Sequence, residues 1–443
     1  MKKIVGGLPI LILLAIVGSQ AGSAEGGFNP LNYRPDGVVV RGKQIPDLLN
    51  EKISGLSLMR WNGKGFEPIP FQVDEKTPEG NFIYQYGPKK NPELGNGRID
   101  NQDELVFMAF DAAAPAPESS RSTAGAVKGE EIIISDAKGT TAAVYLFSFS
   151  ANPPRSQTDY VQHSTEEGRN WVKTDHYWFG EPVAKGFFDR FHQVQADGKM
   201  GPNEVDRIKG RGHISTLGGM VNMIKGEQDT PADLIGWIDG PVRVVHRMEG
   251  GVELLGLKLK LAGGSDNVFY RTYLYTPIFF SLPPGAGAIL KGSYMIYTID
   301  FNQTYKGSYY FDVTTKTPTT LDGKMDATEK SLDTKTSHNW YAVGGDKGSM
   351  VVRMIIPEQW KNIVTETTFY EDDDTAADPP ESEPGRHQVG FKLGGMFEAP
   401  AGKYNYYLYY MVPDKKITQD NIGPWLDVLD HPLKISGRGL AGK

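Results

Sequence analysis

From Phe28 onward the chain is a succession of short runs rich in Val, Ile, Tyr, Phe and Trp, punctuated by Gly, Asn, Asp and Pro. That punctuation leaves little room for helices. β-Branched and aromatic side chains suit a pleated, half-buried surface, whereas Gly and Pro interrupt helical hydrogen bonding. With 52 Gly, 29 Pro, 11% aromatic residues and few long Ala/Leu/Glu/Lys runs, the sequence predicts an all-β protein with few short helices.

The first residues read differently. Lys2 and Lys3 precede an apolar run from Ile4 to Val17, and small residues lead to Gly22-Ser23-Ala24. This is the pattern of a cleaved export signal over residues 1–24, too short for a membrane span of about 20 apolar residues. A periplasmic or secreted bacterial protein is expected, without a transmembrane anchor after cleavage. No Cys follows the apolar run, so a lipid anchor is excluded.

The chain contains no cysteine. Disulfides, thiolate catalysis, Cys-ligated zinc, iron–sulfur clusters and covalent haem c are therefore excluded, and the core must supply stability alone. Removing residues 1–24 takes away two lysines and no acids, so the net charge moves from −7 to −9. A mildly acidic protein without a basic tract is a poor nucleic-acid binder. Neither a G-x-S-x-G elbow nor a nucleotide-binding glycine loop is present, so no nucleotide cofactor is expected.

Turn signals divide the mature chain. Residues 25–150 are expected to form a small β-sandwich, with hairpins "GLSLMRW"/"FEPIPFQVD" and "EEIIIS"/"TTAAVYLFSF" closed by Asn62–Gly65 and Asp136–Gly139. "DAAAPAPESSRSTAGA" reads as a mobile exposed loop. A Pro-Pro linker covers 151–159, and residues 160–443 are expected to build one large antiparallel β-sandwich. Its hairpins include "PVRVVHRM"/"VELLGLKLKL", turning at Glu249–Gly251, and its strands include "VFYRTYLYTPIFFSL" and "YNYYLYYMV". An acidic surface loop over 371–386 interrupts it. "NIGPWLDVLDHP" reads as a short closing helix, with Pro424 in its first turn. The large part resembles, at the level of fold, the supersandwich of galactose-mutarotase-like and polysaccharide-lyase domains.

Three constellations carry candidate chemistry. In "NGRIDNQDELVFMAFD", placing Gly97 at the sixth position of a calcium loop puts Asp100 at the ninth and Asp103 at the twelfth, yet the first ligands are missing. Asn96, Asp100, Asp103, Glu104 and, from the preceding strand, Asp74 or Glu75 are the candidate ligands of a calcium ion. The Gly-rich loop "DRIKGRGHISTLGG" supplies His213 as a base and Arg211 as a carboxylate clamp, with Tyr273 as an acid. Tyr275, Arg271 and Trp178 are candidate walls of an aromatic, carbohydrate-binding groove, with Arg271, Tyr273 and Tyr275 on one strand face and Tyr270 on the other.

These features suit a binding or scaffold protein, calcium-stabilised, with an aromatic cleft for a carbohydrate-like or other small-molecule ligand. Two alternatives stay open: a carbohydrate-active enzyme of the polysaccharide-lyase type, and a subunit of a cell-envelope complex with a protein partner.

Overall fold

Asn62-Gly63-Lys64-Gly65 shows how this chain makes its strands. The Asn62 side-chain oxygen accepts hydrogen bonds from the Lys64 and Gly65 amides at 3.0 and 2.9 Å, and Gly63 takes φ +92°. The backbone reverses, and Leu56–Trp61 pairs with Phe66–Pro68. Similar local chemistry closes Ala126–Ser135 onto Thr141–Phe149, where Asp136 accepts from Lys138 and Thr140.

The computed structural model describes residues 28–183, 188–226, 229, 232–254, 257–345, 348–378 and 385–440. The expected export signal, 1–24, lies outside them. The described residues form five antiparallel sheets, and α-helix among them is confined to Ala286–Ile289 and Gly423–Asp430. The protein is all-β. No helix among the described residues is long and apolar enough to cross a membrane.

The first sandwich packs a three-stranded sheet (Gly37–Arg41, Glu104–Met108, Gln72–Asp74) on a five-stranded one. The latter runs Lys434–Leu440, Ala126–Ser135, Thr141–Phe149, Leu56–Trp61, Phe66–Pro68. Val38, Val40, Leu105 and Phe107 meet Leu58, Ile132, Ile134 and Leu146 in its core. One strand comes from far away: Lys434–Leu440, expected within the large sandwich, returns to pair with Ala126–Ser135. Residues 152–160 carry no regular structure and lie against this sandwich, with the Ser57 hydroxyl donating to the Pro154 carbonyl at 2.5 Å.

The larger part is built on a nine-stranded sheet. Its order is Ala232–Asp239, Arg243–Leu254, Leu257–Tyr270, Tyr273–Leu282, Gly402–Met411, Gly348–Ile355, Trp340–Gly345, Tyr309–Asp312, Thr319–Thr320. One face packs on a second five-stranded sheet (Val221–Lys225, Val205–Thr216, Tyr294–Phe301, Arg386–Gly394, Thr365–Asp373) and on a four-stranded one (Arg190–Gln193, Tyr177–Pro182, Arg169–Thr174, Val161–Glu166). Val244, Phe269, Leu274 and Leu408 meet Ile214, Phe391, Phe179 and Phe191 there. The opposite face packs on Phe82, Val106 and Met108 of the first sandwich and on Ile422, Trp425 and Leu426 around the second helix. Both faces of "YNYYLYYMV" are accordingly covered: Tyr404, Tyr406, Leu408 and Tyr410 on one side, Tyr409 and Met411 on the other.

Four local expectations are corrected. Glu249–Gly251 does not turn; it pairs with Ala262–Gly264 within a long ladder that continues to Leu254 opposite Leu257, and residues 255–256 lie outside the described residues. "VFYRTYLYTPIFFSL" is not one strand, because Arg271-Thr272 forms a two-residue reversal that puts Tyr270 beside Tyr273 and Tyr275, ring centroids 4.7 and 6.4 Å away. The Gly-rich "loop" around His213 is a twelve-residue strand. The segment from Asp111 is packed at its start: Ala112 and Ala113 are fully buried, and Arg121 holds the buried Glu131 at 3.1 Å.

Candidate functional site

The acidic stretch does its work between the two sandwiches. Gln72–Asp74 pairs with Glu104–Met108 so that Asp74 stands opposite Glu104, as a shared end would require. The Arg243 guanidinium of the nine-stranded sheet enters between them, its Nε 2.7 Å and its Nη2 2.6 Å from Asp74 and its Nη2 2.6 Å from Glu104, and donates to the Tyr270 hydroxyl at 3.1 Å. Lys76 reaches Glu104 at 2.7 Å. Burial alone would raise the Glu104 carboxyl, but Arg243 and Lys76 hold it below the usual carboxylate range.

The remaining acids serve the turn. Asp103 accepts from the Lys76 and Asp100 amides at 2.8 and 2.7 Å, and burial pushes its carboxyl up to about 6. Asn96 donates to Asp100 and accepts from the Arg98 amide, while Glu75 caps the Asn96 and Gly97 amides. The lone pairs sought for calcium at Asn96, Asp100, Asp103, Glu104 and Asp74 thus meet protein donors. Among the described residues no group of three or more His, Asp or Glu side chains is arranged to hold a metal ion.

The three candidate catalytic groups lie on opposite sides of the large sandwich. On Val205–Thr216, Ile208 and Ile214 face the core, so Arg211 and His213 face outward. Arg211 is an ion-pair partner of the buried Asp378, which also accepts from Lys209 and Gln388 at 2.6 Å each. Burial opposes ionisation of Asp378, yet Arg211 and Lys209 keep its carboxyl low. The acids at Asp372 and Asp378, expected on a surface loop, are therefore buried and paired; residues 379–384 lie outside the described residues. His213 stacks on Tyr294 at 4.4 Å, and burial, Lys392 and Arg211 depress its imidazole. Tyr273 sits across the nine-stranded sheet, buried, its hydroxyl accepting from the Gly37 amide at 3.0 Å. No single cleft holds all three.

The candidate ligand residues are also spread out. Tyr275 is stacked between Tyr270 and Tyr409, at 6.4 and 5.1 Å. Arg271 forks onto Asp175 at 2.9 and 2.6 Å, and Trp178 carries Lys173 over its ring at 4.4 Å.

The tyrosine face itself leads to a cleft. Beyond Tyr275 and Tyr409 the same face of the nine-stranded sheet leaves the cover of the first sandwich. Arg247, Asp266, Phe279, Ser281, Lys403 and Asn405 then form the floor of an open hollow of about 650 Å³. Asn81, Phe82, Tyr84, Lys89 and Asn91 of the first sandwich form its wall. The Tyr84 hydroxyl donates to Asp266 at 2.8 Å, Arg247 donates to the same carboxylate at 3.2 Å, and its guanidinium lies 5.3 Å from the Phe279 ring centre. Lys89 pairs with Glu249 at the rim at 2.5 Å. Burial and Asp266 push the Tyr84 phenol far up, so it serves as a hydrogen-bond donor and never as a base near neutrality. Sequence reasoning missed this site because its wall and floor are some 160 to 320 residues apart (Lys89 to Glu249, 160; Asn81 to Asn405, 324).

No protein-family model matches this chain, and no curated protein sequence matches it. Similar solved structures include an alpha-mannosidase from Enterococcus faecalis V583, with TM-score 0.48, 8% identity and coverage of 94% of this chain and 46% of that one. A protein in the glycosyl hydrolase family 38 from Enterococcus faecalis gives TM-score 0.45 and 7% identity over 94% of this chain and 47% of that one. HI1317 gives 0.32 and 7% over 58% of this chain and 98% of its own. The chain spans about half the length of the two Enterococcus proteins. No residue role passes from any of them to this chain.

Proposed function

We propose that this chain is an exported carbohydrate-binding protein whose ligand seat is the cleft between its two sandwiches. The observation that supports this reading is the lining. Phe82, Tyr84 and Phe279 offer ring surface, while Asn81, Asn405, Ser281 and Lys403 offer hydrogen-bonding groups around them. A sugar presents this same alternation of apolar C–H faces and hydroxyls. The volume of about 650 Å³ lies in the range of small-ligand sites. Export rests on Lys2, Lys3, the apolar run Ile4–Val17 and Gly22-Ser23-Ala24. The lyase reading has no comparable support, since His213, Arg211 and Tyr273 do not converge.

The test is calorimetry of the mature protein against a panel of soluble oligosaccharides, repeated with Phe279→Ala and Tyr84→Ala. At least one oligosaccharide should bind, and each variant should weaken it roughly tenfold, as expected for loss of an aromatic contact of about 1 kcal/mol or more. Binding that ignores both variants would place the ligand elsewhere and end the proposal.

A further inference from the structure

Among the buried polar atoms of the described residues that lack hydrogen-bond partners, four belong to three side chains at the junction of the four-stranded and nine-stranded sheets. Glu181, on Tyr177–Pro182 of the four-stranded sheet, is 1% exposed, and neither of its carboxylate oxygens has a hydrogen-bond partner. His246 and Asn267, on adjacent strands of the nine-stranded sheet, are 1% and 2% exposed; His246 Nδ1 and Asn267 Oδ1 also lack partners. The two residues stand opposite each other in the strand register, so their side chains share one face. That face packs on the four-stranded sheet, where Glu181 lies on the same side of its strand as the core residues Tyr177 and Phe179. The neighbouring Arg247 and Asp266 point the other way, into the cleft.

The three oxygens are acceptors, and His246 Nδ1 is a fourth in the tautomer that carries its proton on Nε2; in that tautomer no member of the group donates to the others. A buried carboxylate in particular demands a compensating positive charge. The distance from Glu181 Oε1 to His246 Nδ1, 3.4 Å, is long for a hydrogen bond. It matches the roughly 3.4 Å that separates two donors held about 2.1 Å from one tetrahedral ion. The other imidazole nitrogen, His246 Nε2, lies 3.0 Å from His163 Nδ1. If Nε2–H donates to His163, the Nδ1 lone pair faces Glu181, the arrangement in which a metal-ligating histidine is usually oriented by a second group.

We propose that Glu181, His246 and Asn267 bind a divalent first-row transition-metal ion, Zn²⁺ by donor type. An imidazole nitrogen with few oxygens suits Zn²⁺, whereas Ca²⁺ takes six to eight oxygens. The set comprises two acid or imidazole groups and one amide, so the site differs from a cluster of three carboxylates or histidines. The ion neutralises the carboxylate and ties the four-stranded sheet to two strands of the nine-stranded one.

The test uses untagged mature protein, stripped with a chelator and titrated with Co²⁺ while visible absorption is recorded. One Co²⁺ per chain should bind, Zn²⁺ should displace it, and Zn²⁺ should raise the melting temperature. Glu181→Gln should weaken binding at least 100-fold. His163→Gln should weaken it about 10-fold, and His431→Gln, at an exposed histidine, should leave it unchanged. No binding, or binding that Glu181→Gln does not weaken, overturns the proposal. Should Glu181→Gln fail to fold, X-ray absorption of the zinc-loaded wild type decides: a light-atom shell without an imidazole nitrogen overturns it, and one with a single imidazole supports it.

Discussion

Replacing Arg243 with Met removes the charge that joins the two sandwiches. Arg243 is 1% exposed and makes ion pairs with Asp74 at 2.6 Å and Glu104 at 2.6 Å, in addition to its bond to Tyr270. Met fills similar volume, so the cavity term is small and the loss is mainly electrostatic. Glu104 keeps Lys76 at 2.7 Å, but Asp74 keeps only the Gln72 amide at 2.8 Å. One buried carboxylate is thus stranded, and breaking a buried pair in this way costs about 3–5 kcal/mol. Arg243→Lys keeps the charge but loses the fork, at a cost of about 1–2 kcal/mol. The triple variant Arg243→Met, Asp74→Asn, Glu104→Gln leaves no charge to strand and should regain most of the loss. Urea unfolding followed by tryptophan fluorescence measures each value, and proteolysis within 152–160 reports undocking of the sandwiches. A loss under about 1 kcal/mol for Arg243→Met, or a triple variant no better than the single one, refutes the reasoning.

Two further outcomes follow from buried groups. Glu366 is 5% exposed, and burial, opposed by Arg353, pushes its carboxyl from 4.5 to about 8. The folded state therefore holds a proton that the unfolded chain releases near pH 4.5, so stability falls as pH rises from about 4.5 to 8. The shift of 3.5 pH units, at about 1.4 kcal/mol each, sets a ceiling of about 5 kcal/mol; urea titrations across that window should show the fall, and Glu366→Gln should flatten it. At Gly390 a Cβ would lie 1.8 Å from the Tyr297 carbonyl oxygen, which belongs to the neighbouring strand's backbone. Gly390→Ala should cost roughly 3 kcal/mol or leave the protein insoluble, read from its melting temperature and soluble yield.

The β-rich class and several hairpins were legible because their causes are local. Asn62–Gly65 and Asp136–Gly139 carry the turn chemistry in their own side chains, and the covered "YNYYLYYMV" strand announces itself by apolar residues on both faces. Where local chemistry was silent the reading failed. Arg271-Thr272 has no Gly, Asn or Pro, yet the chain reverses there because Tyr270, Tyr273 and Tyr275 stack in a buried ladder. Gly250-Gly251 has turn composition, but Gly250 pairs with Ala232 on one side and Gly263 on the other, and Gly251 pairs with Ala262, so the backbone stays extended. The low-complexity segment after Asp111 has the composition of a mobile loop, yet Tyr145 accepts from the Ala116 amide and donates to Glu131, which Arg121 also pairs, so long-range partners anchor it.

What the sequence determined alone was the kind of surface each segment presents: alternating strands, Gly/Asn turns, acids clustered beside an apolar run. Which surfaces meet was a tertiary matter. Asp74 and Glu104 become a docking clamp only because Arg243, 169 residues from Asp74, is carried to them by a different sheet. The return of Lys434–Leu440 to Ala126–Ser135, the cleft floor at Phe279 and Lys403, and the unpartnered Glu181 beside His246 arise in the same way. A charge or a strand edge takes its partner from whatever packing brings within a few ångströms, and in a protein of long-range antiparallel sheets that neighbour is rarely nearby in sequence.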